Sequence, residues 1–231
     1  MPHYPAISTS RQAALAIMQD DASSCLMVDS FNGAPANMLG FRCFNPFQLW
    51  PEPLIPVPGQ PGGLARSVES VWQGLKLVDG HTDFEQFLTA PRKRPGDDER
   101  RRLAGYCYSD SRFVYGDRLL GLLEARFLIY LPTYLFLLQR LAPESVLSEL
   151  RRHLDGVGPV LFYDWDANQD IADISCSFSH SAILAAWFND TLELQYRSQA
   201  RLLLSEADSL AFDAALDGLL GRYRAFHQEK P

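Results

Sequence analysis

Glu69, Gln73 and Lys76 are spaced i, i+4 and i+7, and Val68, Trp72 and Leu75 repeat that spacing one residue earlier. At about 100° per residue the two sets form adjacent stripes on one helix. A carboxylate, an amide and an ammonium then run beside an aromatic edge, an arrangement that can hold a polar ligand with a flat ring. An ordinary amphipathic helix has the same pattern, with Glu69 favourable near the helix N-terminus, Trp72 in the core and Lys76 paired with a surface acid. Ser67 is placed to cap the start and Asp79-Gly80 to stop the helix, which is expected over about Val68 to Val78.

A second acidic set, Asp164, Asp166, Asn168, Asp170 and Asp173, follows the run Val157 to Tyr163. That run is apolar and bounded by glycines, so it reads as a central strand. Carboxylates at or just beyond a strand end suit ribose-hydroxyl binding or water activation. A solvated turn pivoting on Asn168 is the competing account. His180 lies between Ser179 and Ser181; a helix cap at Ser179 explains it better than a Ser–His nucleophile, since catalytic pairs rarely adjoin in sequence and no G-x-S-x-G elbow is present.

Cys25, Cys43, Cys107 and Cys176 are scattered without a C-x-x-C pair, and the histidines show no H-E-x-x-H or H-x-x-x-H spacing. Neither a metal site nor a cofactor is therefore expected, and the cysteines read as free thiols of a cytoplasmic protein. The net charge of −7 gives no overall basic field, which argues against long-duplex binding. The mixed run Arg92 to Arg102 reads as a solvated loop and helix start. No secretory leader is expected at the N-terminus. The most membrane-like stretch, Leu119 to Leu138, contains Glu124, Arg126 and Pro132, so it reads as two buried helices meeting at the proline.

The chain has 231 residues, 47% of them hydrophobic, enough for one good core or one domain with an appended element. Helices are expected at Ser10 to Gln19, Asp83 to Ala90, Asp97 to Gly105, Glu144 to Leu154 and Ser179 to Phe188. Strands are expected at Ser24 to Asp29, Gly156 to Asp164 and around Phe41 to Phe44. The Pro- and Gly-rich stretch Phe31 to Gly63 reads as a long functional loop. Residues 191–231 read as a helix-rich extension, capped at Ser205 and packed on the domain formed by residues 1–190.

The stripe also resembles a family motif. The NADAR (YbiA-like) superfamily carries a segment like [YW]-P-[ST]-x-E-H-x-[YF]-Q-x-x-K, and Ser67, Glu69, Trp72, Gln73 and Lys76 match it in order. Phe41 to Pro46 resembles the family's upstream F-S-N-F-x-P segment, Ala90 to Arg102 its A-x-[TS]-P-G-E-A-K turn, and Glu124 to Phe127 its x-A-K-F helix. Departures are Ser70 for the motif histidine, Arg66 for the preceding proline, Cys43 for the asparagine and the loss of a late W-G segment. The resemblance spans about Phe41 to Asp173.

It implies a single, predominantly helical α+β domain with a few short strands. The implied activity is a metal-independent N-glycosidase that hydrolyses a ribosyl or ADP-ribosyl C–N bond, with Glu69 and Lys76 catalytic. Trp72, Gln73, Arg66, Asp164, Asp166, Asn168 and Asp173 would bind substrate. The partner would be a small ribosyl or ADP-ribosyl ligand or a modified nucleic acid, with no membrane. The alternative is a catalytically inactive nucleotide- or ADP-ribose-binding module.

Overall fold

Alternation of short apolar runs with capped helical segments builds a predominantly helical α+β fold. The computed structural model describes residues 3–20, 25–30, 41–94, 105, 107–165 and 168–228. Strand β1 (Ala6–Ser10) leads through helix α1 (Arg11–Asp20) to β2 (Leu26–Asp29). One short antiparallel pair follows, β3 (Ile55–Pro56) with β4 (Leu64–Ala65), then α2 (Val68–Leu75) and β5 (Lys76–Leu77). A 3-10 turn at Phe84–Phe87 precedes the hairpin of β6 (Arg112–Tyr115) and β7 (Arg118–Leu120). The chain continues through α3 (Leu122–Leu141), α4 (Glu144–Gly156), β8 (Val160–Asp164) and α5 (His180–Phe188). It ends in α6 (Leu192–Leu203), α7 (Glu206–Leu219) and α8 (Gly221–Gln228).

The main sheet is parallel, in the order β1-β8-β2, with Phe162 opposite Ser8 on one side and Val28 on the other. Every residue of β8 is buried, as expected of a central parallel strand, whose continuous apolar run reflects cover on both faces. Helices α1, α4 and α5 pack on this sheet. Asp164 ends β8 and Ser30 directly follows β2, so both sit at the carboxyl edge, where open parallel sheets commonly bind ligands.

Helix α3 departs from the expected break at Pro132. It runs unbroken from Leu122 to Leu141, and most of its apolar window is buried in the core. Proline lacks an N–H, and its ring crowds the carbonyl four residues back. A π turn over Arg126–Tyr130 comes just before it, so the Leu131 N–H reaches back to Arg126 O and the widened turn accommodates the ring. A second π turn, Leu137–Leu141, ends the helix, with Ala142 N donating to Leu137 O at 2.8 Å.

Other expectations are also corrected. Phe41–Phe44 is a 3-10 turn, not a strand, and the segment from Asp83 is a 3-10 turn shorter than the expected helix. Helix α2 stops at Leu75, so Lys76 is the first residue of β5. Strand β1 and the β6–β7 hairpin were not foreseen. The expected helix at Asp97 to Gly105 lies outside the described residues, apart from Gly105. Helices α6, α7 and α8 pack on the rest of the fold. Phe212 meets Phe127 edge-on at 5.3 Å, and Arg222 donates to the Leu138 and Ala142 carbonyls at the end of α3.

Helix α2 is buried on every side, and Gly74 is what lets the Phe84–Phe87 turn lie against it. A Cβ at Gly74 would sit 2.3 Å from the Phe87 ring. Gly74→Ala is therefore expected to cost about 1–3 kcal/mol by overpacking, read as a lowered urea midpoint; an unchanged midpoint would mean that the ring yields freely.

Candidate functional site

Ser67 caps α2 by accepting from Ser70 N at 2.9 Å, and all eight helix residues are buried, Glu69, Ser70 and Gln73 included. The polar stripe therefore does not face solvent. It forms one wall of a cavity of about 310 Å³, to which Glu69, Trp72, Gln73 and Lys76 all contribute. It is also lined by the carboxyl edge of the sheet (Ser30, Asp164 and Trp165), by Phe178, and by His180 at the start of α5. At about 310 Å³ the cavity is at the small end of ligand pockets.

Burial pushes the Glu69 carboxyl above its ordinary value; the Gln73 hydrogen bond and the charges of Lys93, Lys76 and His180 pull it only part of the way back. Gln73 Nε2 donates to Glu69 Oε1 at 2.7 Å, and Gln73 Oε1 accepts from Arg94 N at 2.9 Å. Lys76 Nζ donates to Arg94 O at 2.8 Å, and the Arg94 guanidinium returns to the carbonyls of Gln73 and Lys76. Gln73 is thus turned toward Glu69 and the Arg94 backbone, so it holds the carboxyl in place.

Across the cavity Asp164 and His180 form a buried ion pair, with Nδ1 2.9 Å from Oδ2. His180 Nε2 lies 3.1 Å from Ser30 O, so both ring nitrogens face acceptors and the ring is held as the imidazolium. For Asp164, burial acts upward. The charge and hydrogen bond of His180, the Trp165 N–H and the Ser179 hydroxyl outweigh it and hold the carboxyl below its ordinary value. For His180, burial acts downward, and Asp164 and the Ser30 carbonyl outweigh it and hold the ring above its own.

Arg126 is buried on the π turn. Its Nη1 donates to Ile171 O and Asp173 O at 2.7 Å, and its Nη2 donates to Cys176 O. It pins the loop that carries Phe178 into the cavity wall. Among the described residues, no three or more His, Cys, Asp and Glu side chains gather to hold a metal.

Several expected binders lie elsewhere. Arg66 does not line the cavity; its Nε donates to Trp50 O at 2.9 Å, bracing the chain where it enters α2. Asn168 and Asp173 form a turn outside the cavity, with Asn168 Nδ2 on Asp173 O and Asp173 Oδ1 on Ser175 N, so the solvated-turn account describes them. Asp166 lies outside the described residues. Trp72 lines the cavity, but Phe113 lies 4.1 Å from it, tilted, and Tyr130 meets it edge-on at 5.4 Å.

Sequence reasoning missed His180, Arg126, Trp165 and Ser30. The usable signal for His180 was its place at the head of an otherwise apolar helix; its partner Asp164 is distant in sequence. Ser179 is indeed the cap of α5, accepting from Ser181 N, and the histidine it introduces also faces the cavity.

The chain belongs to a family of unknown function (DUF6939), whose model matches residues 11–184. That span contains every residue that lines the cavity. No curated protein and no solved structure matches the chain.

Two stability measurements test these electrostatics. A carboxyl raised on folding loses stability as pH climbs above its ordinary value of 4.5, because the unfolded chain ionises first. Glu69→Gln keeps the acceptor for Gln73 and removes this penalty, so it is expected to match the native chain in acid and exceed its stability at neutral pH. Equal pH profiles would contradict a raised Glu69.

The ion pair behaves differently. Asp164, held low, stabilises above its ordinary 3.8, and that contribution is lost as pH falls through its folded value; His180, held high, stabilises below its ordinary 6.5, and that contribution is lost as pH rises through its folded value. His180→Ala should therefore cost most between these two values, about 3–5 kcal/mol for a broken buried pair. A loss independent of pH would mean that the pair is not charged.

Proposed function

We propose that the chain is an N-glycosidase that hydrolyses a ribosyl or ADP-ribosyl C–N bond, with Glu69 as its key carboxyl. One observation carries the reading: Glu69 and Asp164 share one cavity and are displaced in opposite directions, one toward holding its proton and the other toward staying ionised. Paired carboxyls pushed apart in this way are suited to divide acid and anion roles. The match of Ser67, Glu69, Trp72, Gln73 and Lys76 to the NADAR motif supports the same choice of bond.

In this reading Glu69 gives its proton to the departing base as the C–N bond breaks and the bond electrons leave with the nitrogen. The sugar becomes oxocarbenium-like, and ionised Asp164 lies on the other wall to stabilise it. Water adds to the anomeric carbon, and its released proton returns to Glu69. Asp164 already accepts from His180, Trp165 N and Ser179, which orients it and leaves part of its acceptor capacity for a sugar hydroxyl or the water. Lys76 supplies positive charge near Glu69 for a phosphate or a leaving-group oxygen. No disulfide joins Cys25, Cys43, Cys107 or Cys176, which fits a cytoplasmic setting.

The test is release of free base from ADP-ribosylated guanine oligonucleotides and from ribosylaminopyrimidine phosphates, followed by chromatography. Turnover is expected, with Glu69→Gln slower by about 10²- to 10⁴-fold. Activity should fall on the alkaline side as Glu69 loses its proton and on the acid side as Asp164 gains one. Full activity in Glu69→Gln would refute the assignment. Affinity for ADP-ribose without any turnover would identify a binding module instead. That second reading draws on the same Asp164 contacts, which hold the carboxylate in a fixed hydrogen-bonded setting.

A further inference from the structure

We infer that Phe47 is the face against which a flat ring of the ligand stacks. The inference rests on reading the cavity as a ribosyl C–N site, and it names the residue that recognises the departing ring. Phe47 lies in the Pro- and Gly-rich stretch 31–63, whose composition suits a functional loop.

Among the described residues, the aromatic side chains that line the cavity are Phe47, Trp72, Tyr108, Tyr130, Trp165 and Phe178. Trp72 packs on Phe113 and Tyr130, and Tyr130 also stacks with Tyr134 at 6.2 Å. Lys76 Nζ lies over the Tyr108 ring and the Arg126 guanidinium over the Phe178 ring, each at 5.8 Å. Trp165 is mostly exposed and has an interaction of its own. Phe47 is half-buried, yet it belongs neither to the core nor to the half-buried side chains packed against it. Among the described residues its ring meets no other ring and no cation. A phenylalanine set in a cavity wall but left out of the core keeps a face for a ligand.

The backbone ties this ring to the proposed acid. Asn45 to Gln48 form a tight turn, in which Gln48 N donates to Asn45 O at 2.9 Å and Phe47 N to Asn45 Oδ1 at 2.8 Å. Pro46 sits at the second position, where its fixed φ suits the turn. Pro46 O accepts from Glu69 N at 2.9 Å, so the residue before Phe47 is hydrogen-bonded to the residue that carries the carboxyl. Tyr134 Oη, from α3, donates to Phe44 O at 2.7 Å and holds the chain just ahead of the turn. A base that takes its proton from Glu69 would therefore meet the Phe47 ring. Phenylalanine offers a π face and no hydrogen bond, so it would select for a flat ring without choosing among bases.

The experiment measures binding of guanosine, adenosine 5′-monophosphate and ribose 5-phosphate to the full chain by calorimetry. The two ring-bearing probes should bind, and Phe47→Ala should weaken them by about ten- to a hundred-fold, the range typical of base–aromatic stacking. Phe47→Tyr should keep most of the affinity, whereas Phe47→Leu, apolar but without a π face, should behave like Phe47→Ala. Ribose 5-phosphate, which has no ring, should bind the native chain and Phe47→Ala alike, and the urea midpoint of Phe47→Ala should stay close to the native one. A midpoint lowered as far as for a core phenylalanine, with ribose 5-phosphate weakened as much as the nucleosides, would make Phe47 a structural residue and overturn the assignment. Nucleosides that bind Phe47→Ala or Phe47→Leu as tightly as the native chain would overturn the stacking and leave the ribosyl reading intact. Failure of all three probes to bind the native chain would overturn both.

Discussion

The Asp164–His180 pair is the interaction on which the site depends. Asp164 closes the central strand, Ser30 extends its neighbour β2, and His180 opens α5, so one imidazolium joins three elements at the carboxyl edge of the sheet. Two buried charges are costly unless their remaining hydrogen-bonding positions are filled. Here they are: Asp164 also accepts from Trp165 N and Ser179 Oγ, and Ser179 Oγ continues through Ser181 Oγ to Ser8 Oγ at 2.7 Å per step. The serine chain runs back to β1, so the pair is braced from all three strands of the sheet.

Backbone carbonyls serve the cations in the same way. Arg126 meets three carbonyls of the 171–176 loop, and Arg94 meets the carbonyls that α2 leaves unsatisfied at its end. Each cation fixes a wall of the cavity by tying a loop to a helix. Arg126 and Tyr130, at the two ends of the π turn of α3, both line the cavity.

Local chemistry made much of this legible in the sequence. The apolar run at 160–164 and the caps at Ser67, Ser179 and Ser205 mark their elements directly, since each depends on neighbours within a few residues. The spacing of Glu69 and Gln73 placed both on one wall because they share a helix. What stayed hidden depends on tertiary partners. His180 reads as an incidental residue beside a cap until the sheet brings Asp164 to it. Arg66 reads as part of the motif, yet at the entry to α2 it braces backbone carbonyls outside the cavity. Pro132 reads as a break because the sequence does not show that a π turn relieves it.

The two walls therefore carry different burdens. On α2, Gln73 is committed to Glu69 and Arg94, and Trp72 to Phe113, so the stripe that first suggested a ligand mostly holds one carboxyl in position. On the sheet side, Asp164 is oriented by its partners, and Trp165 remains exposed at the rim. In the proposed C–N cleavage, carboxyls fixed before any ligand arrives would need no reorganisation as charge develops. The burial that raises the Glu69 carboxyl weakens the fold at neutral pH, whereas the pairing that holds Asp164 below its ordinary value strengthens it. A cavity serving only to fill space would gain by replacing Glu69 with an apolar residue, so a buried carboxyl held beside Gln73 is the physical feature that most favours the proposed ligand chemistry.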